Sequence, residues 1–128
     1  MICAVIDTNV LVSSLINSSG TPARVTKLVL SESVAVYTSK GILDEYYDVL
    51  NRPDFHFSSE NIQKILRKIE HEGVCIVPHS AKRRCSDPSD QKFYDTAKTA
   101  DAYLVTGNKK HYPDDPCVVS PVEFLELI

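Results

Sequence analysis

Short runs rich in Val and Ile alternate along this chain with stretches that carry apolar residues at helical spacing. The runs are "ICAVI" (2–6), "VAVY" (34–37), "VCIV" (74–77), "AYLVT" (102–106) and "CVV" (117–119), each reading as a short buried strand. Between them, "PARVTKLVLSES" (22–33) places Val25, Leu28 and Val29 on one stripe, and "SKGILDEYYDVL" (39–50) does the same with Ile42, Leu43, Tyr46, Val49 and Leu50. "SSENIQKILRKIEHEG" (58–73) opens with a capping Ser, carries Ile62, Ile65, Leu66 and Ile69, and stops at Gly73. "DPSDQKFYDTAKTA" (87–100) starts with Asp87 as N-cap and Pro88 in the first helical position, and "SPVEFLELI" (120–128) is a capping box with Pro inside it. This alternation predicts an α/β protein, a parallel sheet covered on both faces. At 128 residues, with no repeat, low-complexity segment or linker, a single domain over 1–128 is expected; "NSSG" (17–20) and "HYPDDP" (111–116) read as loops.

The net charge is −3, which does not point to a general nucleic-acid binder, since such proteins usually carry a basic excess. It leaves room for a local basic rim, or for a metal that neutralises an acidic site. Four cysteines (Cys3, Cys75, Cys85, Cys117) form no CxxC pair, and Cys3, Cys75 and Cys117 lie in or beside apolar runs, where Cys acts as a small hydrophobe. They read as reduced thiols of a cytoplasmic protein. No basic segment precedes the first apolar run and no run is long enough to span a membrane, so neither a signal peptide nor a membrane association is expected.

The sharpest question is posed by Asp7, an acid placed directly after the first buried strand. In an open α/β sheet ligands bind beyond the carboxyl ends of the strands. Asp7 ends the first strand and Asn108 follows the strand at 102–106, which puts both near one rim. Asp90 shares a helical stripe with Phe93, Tyr94 and Ala97, so it points to the edge of the core. Glu45 lies between Ile42 and Val49 and flanks another apolar stripe, whereas Asp44 and Asp48 occupy a solvated face. Three carboxylates aimed at one cleft repel one another unless a cation joins them. Mg²⁺ prefers oxygen ligands, keeps several waters and takes one or two carboxylates directly. Such a site suits phosphodiester hydrolysis, because the metal acidifies water and stabilises charge on phosphorus.

The blocks "AVIDTNVLVSSL", "ILDEYYDVLNRPDF", "DPSDQKFYDTA" and "DAYLVTGNKKHYP" resemble those of PIN-domain proteins, in family order and over nearly the whole chain. The likeness is nearest to bacterial toxin-like PIN ribonucleases related to VapC. It implies a Rossmann-like three-layer α/β/α sandwich with a central, mostly parallel five-stranded sheet. It also implies a Mg²⁺- or Mn²⁺-dependent endoribonuclease that leaves a 3′-hydroxyl and a 5′-phosphate. The metal ligands it implies are Asp7, Glu45 and Asp90; Thr106 matches the small hydroxyl residue after the fourth strand, and Asn108 would support water or metal. Many family members carry Asp where this chain has Asn108, which removes a charge but keeps a carbonyl oxygen. The implied partners are an RNA substrate, a cognate antitoxin and a second copy in a homodimer.

Each residue also has a plainer role. Asp7 alone serves equally well as a turn or capping residue, Asp90 at the third helical position suits the helix dipole, and Glu45 alone is a surface acid. Their joint occurrence in family order favours the metal site. Asp87 reads as a cap and Asp101 as a turn residue. His71, Cys75 and His79 mimic zinc spacing, but Gly73 and the strand-like "VCIV" break the helix this would need. "AKRR" (81–84) leads into the acidic helix, so Lys82, Arg83 and Arg84, with Lys109 and Lys110, could hold phosphates at the rim, although a solvated loop is the commoner role. Tyr94 is a core residue before it is a base-stacking one. Two other functions compete with the ribonuclease: a PIN-like binding module with weak catalysis, motivated by Asn108 and the acidic balance, and a haloacid-dehalogenase phosphatase. The phosphatase needs a second Asp two residues after the first, where Asn9 stands.

Overall fold

The computed structural model describes residues 1–128. Cys3–Ile6 forms β1, followed by α1 (Thr8–Ile16), α2 (Thr21–Leu30), β2 (Ala35–Thr38) and α3 (Lys40–Leu50). Then come α4 (Ser59–Glu72), β3 (Val74–Cys75), α5 (Gln91–Ala100), β4 (Tyr103–Val105), β5 (Val118–Val119) and α6 (Pro121–Glu126). The sheet has the order β3-β2-β1-β4-β5, and every pairing is parallel. Six helices flank it, giving the α/β sandwich expected. β1 is central because Ala4, Val5 and Ile6 can be wholly buried, and all three are. One hydrophobic core runs from these residues through Leu11, Ile42, Tyr46, Phe93, Leu104 and Phe124.

The strand order locates the site. From β1 the chain builds outward through β2 to β3, then crosses over and builds through β4 to β5 on the other side. The reversal lies between β1 and β4, where the loops leaving the two strands diverge and open a crevice. Asp7 follows β1 and Thr106 follows β4, and their side chains meet there, the Thr106 hydroxyl donating to Asp7 at 2.8 Å. The Asp7 N–H still donates to the Val105 carbonyl at 2.9 Å, which extends the ladder into the loops.

Two sequence expectations need correction, and one helix carries no legible sequence pattern. Thr8–Ile16 is a helix although no helical stripe is legible there, because Val10, Leu11, Val12, Leu15 and Ile16 are spread around it. The strand expected over 74–77 contains only Val74 and Cys75, and both are exposed. It pairs with Tyr37 and Thr38 at the open edge of the sheet, and Pro78 halts it. Cys75 is therefore a surface thiol and not a buried hydrophobe; all four cysteines are free. Finally, the helix expected over 87–100 begins with a tight 3-10 turn over Pro88–Asp90, and α5 starts only at Gln91. Asp87 does cap, accepting from the Ser89 N–H at 2.9 Å, but Asp90 stands at the junction of turn and helix and not inside the first α-turn.

Other readings hold in detail. Ser58 caps α4, Gly73 ends it, and Ser120 and Glu123 form the capping box of α6. Asp44 and Asp48 are exposed and pair with Lys40 in α3 and with Arg52 just beyond its end. Tyr94 is buried and donates to Asp115 at 2.7 Å. Burial alone would raise the Asp115 carboxyl, but the Cys117 N–H, the Tyr94 hydroxyl and Lys98 outweigh it and hold that carboxyl well below the usual range. This ties α5 to the loop before β5.

Candidate active site at the strand-order reversal

Asp7 anchors the crevice. It is the N-cap of α1, and 7% of its surface is exposed. Its Oδ2 accepts from the Thr106 hydroxyl and from the Tyr112 hydroxyl, both at 2.8 Å. That uses the lone pairs of one oxygen. Its Oδ1 has only a long contact, 3.4 Å, from the Asn9 N–H. Thr106 is itself held, since its oxygen accepts from the Asn108 N–H at 3.0 Å. Asn9 completes the seam by accepting from the Gly107 N–H at 3.1 Å. Two loops from adjacent strands are thus stitched together around one carboxylate, and its Oδ1 keeps only the long capping contact from Asn9.

Asp90 presents a second unused oxygen. Its Oδ2 is buried and has no hydrogen-bond partner. A buried carboxylate oxygen left unpaired is costly, which makes it a place to look for a ligand. Burial first, then the charges of Asp7 and Asp87, with a smaller push from Glu45, raise its carboxyl above the ordinary range; His111 opposes them. His111 Nδ1 lies 3.5 Å from the orphaned oxygen. The same negative field acts on Tyr112, whose phenol is raised by burial and by Asp7.

Glu45 is placed beside these acids but not left free. One of its oxygens accepts from the Thr8 hydroxyl, which ties α3 to the start of α1, and the neighbouring Tyr46 hydroxyl ties α3 to the end of β1 at the Ile6 carbonyl. The other lies 2.7 Å from the Lys92 ammonium. The expected three-acid cluster is therefore not closed: no three His, Cys, Asp or Glu side chains come together tightly enough to hold an ion among themselves. What stands ready is a pair, Asp7 Oδ1 and Asp90 Oδ2. Two carboxylate oxygens and several waters are an ordinary donor set for Mg²⁺.

The rim differs from expectation too. Asn108 is exposed, with its side chain unengaged, at the start of the turn Lys109–His111. Lys109 is paired with Glu123 at 3.0 Å, and Arg83 donates to the Asp114 carbonyl at 2.8 Å. Arg84 makes only a 3.5 Å contact with the Ala81 carbonyl. All three are exposed. Gln91, buried, fastens the 83–85 loop to α5 by accepting from the Cys85 N–H at 2.6 Å and donating to the Arg83 carbonyl.

Sequence reasoning missed Tyr112, Lys92, His111 and Thr8. Thr8 had a signal, being the neighbour of Asp7. Tyr112 lay in a stretch read only as a loop, and Lys92 reaches its partner across two helices distant in sequence. If Tyr112 and Thr106 aim the free oxygen of Asp7, Tyr112→Phe and Thr106→Val should each keep the fold and lower metal-dependent activity by about 10–100-fold, the usual effect of removing a group that orients a ligand. Paired melts and rate measurements check this.

Comparisons with known proteins now bear on the site. An uncharacterized protein of Methanocaldococcus jannaschii is 37% identical over 108 residues, which is 82% of this chain and 70% of that protein. Residues 3–110 match the PIN domain. PIN domains are typically nucleases, and PIN nucleases generally use divalent metals. The matched segment takes in Asp7, Glu45, Asp90, Thr106 and Asn108, and the chain belongs to the PIN-domain family.

Proposed function

We propose that this PIN domain is a divalent-metal-dependent endoribonuclease acting on single-stranded RNA. The observation that carries the reading is the buried, unpartnered Oδ2 of Asp90, on a carboxyl that feels the charge of Asp7. Asp7 and Asp90 would hold Mg²⁺ or Mn²⁺, with Glu45 as a third ligand once released from Lys92. When bound, the ion supplies positive charge for the reacting phosphate and acidifies water. The chain's own residues do the positioning. Thr106 and Tyr112 fix the rotamer of Asp7, and Thr106 in turn aligns the Asn108 backbone. The Asn108 amide, at the mouth, can orient a water or a phosphate oxygen.

Single-stranded RNA suits the crevice because its flexible backbone can enter and its bases stay open to contact. Arg83, Arg84 and Lys109 stand at the rim, and any phosphate contacts they make would weaken with salt. The likeness of the four sequence blocks to toxin-like PIN ribonucleases motivates a further step, that the protein is the toxin of a toxin–antitoxin pair, working in the cytoplasm, bound by its antitoxin and forming a homodimer. No helix is long and apolar enough to cross a membrane.

The test is cleavage of matched single-stranded RNA and double-stranded DNA in Mn²⁺ and in EDTA. Metal-dependent cutting of the RNA to 5′-phosphate ends is expected, and faster cutting of the DNA would sink the ribonuclease assignment. Two observations favour a second reading, a binding module with weak catalysis: Asn108 removes a charge from the site, and Lys92 already neutralises Glu45. Restoring the charge separates the two. Asn108→Asp should bind Mg²⁺ more tightly and cut at an equal or higher rate; unchanged metal affinity would place residue 108 outside the site.

A further inference from the structure

Lys92 brings a cation into the acidic crevice. It is the second residue of α5, two positions after Asp90, yet its ammonium crosses to α3. Its Nζ lies 2.7 Å from Glu45 Oε1 and 2.6 Å from the Ser89 carbonyl. The stem runs over α3 at Gly41, where a Cβ would meet Lys92 Cδ at 3.4 Å. Both charged side chains are about three-quarters shielded, with 27% and 26% of their surface exposed, so this pair is not an ordinary surface bridge. Thr8 occupies the other oxygen of Glu45. Each oxygen of Glu45 therefore already accepts one donor, and Lys92 supplies its counter-charge.

We propose that Lys92 is a positioning residue that holds Glu45 back from the metal. A divalent ion that recruits Glu45 must compete with the charge of the ammonium, and Lys92 thereby sets the metal affinity of the site. This rests on the metal-dependent reading above. The physical basis is competition: an ammonium and a divalent ion on one carboxylate repel each other, so each weakens the other's hold. A lysine on a flexible four-carbon stem is a compact point charge that can be moved aside. Metal binding and the Lys92–Glu45 pair are then coupled states of a single site.

The experiment is calorimetric titration with Mn²⁺ alone, without RNA, on folded wild type, Lys92→Met, Lys92→Gln, Lys92→Arg and Glu45→Gln. Lys92→Met and Lys92→Gln should bind Mn²⁺ more tightly by about 5- to 100-fold, the range of ordinary site coupling. Using two neutral variants covers the case in which one of them folds poorly. Lys92→Arg keeps the charge and should stay near wild type. In a Glu45→Gln background the Lys92→Met effect should disappear, because the two residues act through each other. Wild-type binding with unchanged or weaker affinity in both neutral variants would overturn the role given to Lys92. So would tightening that persists in Glu45→Gln, since that would be a general field effect. Absence of Mn²⁺ binding in every protein would overturn the metal-dependent reading itself, and the role of Lys92 with it.

Discussion

Asp7→Asn is expected to lower metal-dependent RNA cleavage by about 10²–10³-fold or more while leaving the metal-free fold intact, the scale seen when a group acting on developing charge is lost. The geometry explains why so small a change should matter. An Asn at position 7 can still turn its carbonyl oxygen to the Thr106 and Tyr112 hydroxyls, which now hold Asp7 Oδ2 at 2.8 Å. Its NH₂ then takes the place of Oδ1, the oxygen free for a cation. A donor replaces an acceptor at the one position where an acceptor is needed, and the negative charge goes with it. Melts in EDTA should therefore lie close to wild type. Cleavage rates in Mn²⁺ should fall to background, and a variant that kept a tenth of wild-type activity would show that Asp7 caps α1 and does nothing further.

Asp90→Asn should have an equally large effect on activity and the opposite effect on stability. Burial and the charges of Asp7 and Asp87 raise the Asp90 carboxyl in the folded chain. A carboxyl raised on folding costs nothing below its unfolded pKa, near 4, and destabilises the fold increasingly as the pH climbs through the folded value. Replacing it with a neutral amide removes that penalty. In EDTA the variant should melt higher than wild type at pH 7, and the advantage should vanish at about pH 4. Thermal melts across that pH range check the sign. An advantage that grew toward low pH would mean that Asp90 is held below the ordinary carboxylate range.

The sheet was legible because strands buried on both faces must be short, apolar and β-branched, and the runs around Ala4, Val36 and Leu104 are all three. The carboxyl-end position of Asp7 followed from the same pattern. Helix α1 was not legible, since Val10, Leu11, Val12, Leu15 and Ile16 leave no polar face to reveal its period. Val74 and Cys75 misled for a related reason: an apolar dipeptide looks the same at an exposed edge as in a core. At the site, Asp7, Asp90 and Glu45 could be named because each interrupts or flanks an apolar pattern. That Glu45 is neutralised could not, because Lys92 lies 47 positions away in sequence, and only the packing of α3 against α5 brings the two together. Tyr112 was hidden likewise, in a loop whose sequence records turn chemistry and not the direction of one hydroxyl.

Thermal melts of wild type, Asp7→Asn and Asp90→Asn, each in EDTA and in excess Mn²⁺, show whether Asp7 and Asp90 together hold a divalent cation. A ligand that binds only the folded state stabilises it by about 2.7 kcal/mol at a hundredfold excess over its dissociation constant. Wild type should therefore melt several degrees higher with metal, and both variants should lose most of that rise. An acid at this helix start is otherwise worth roughly 0.3–1 kcal/mol through the helix dipole alone. If Asp90→Asn is less stable than wild type in EDTA and keeps the full response to Mn²⁺, Asp90 is a helix residue and the account is wrong.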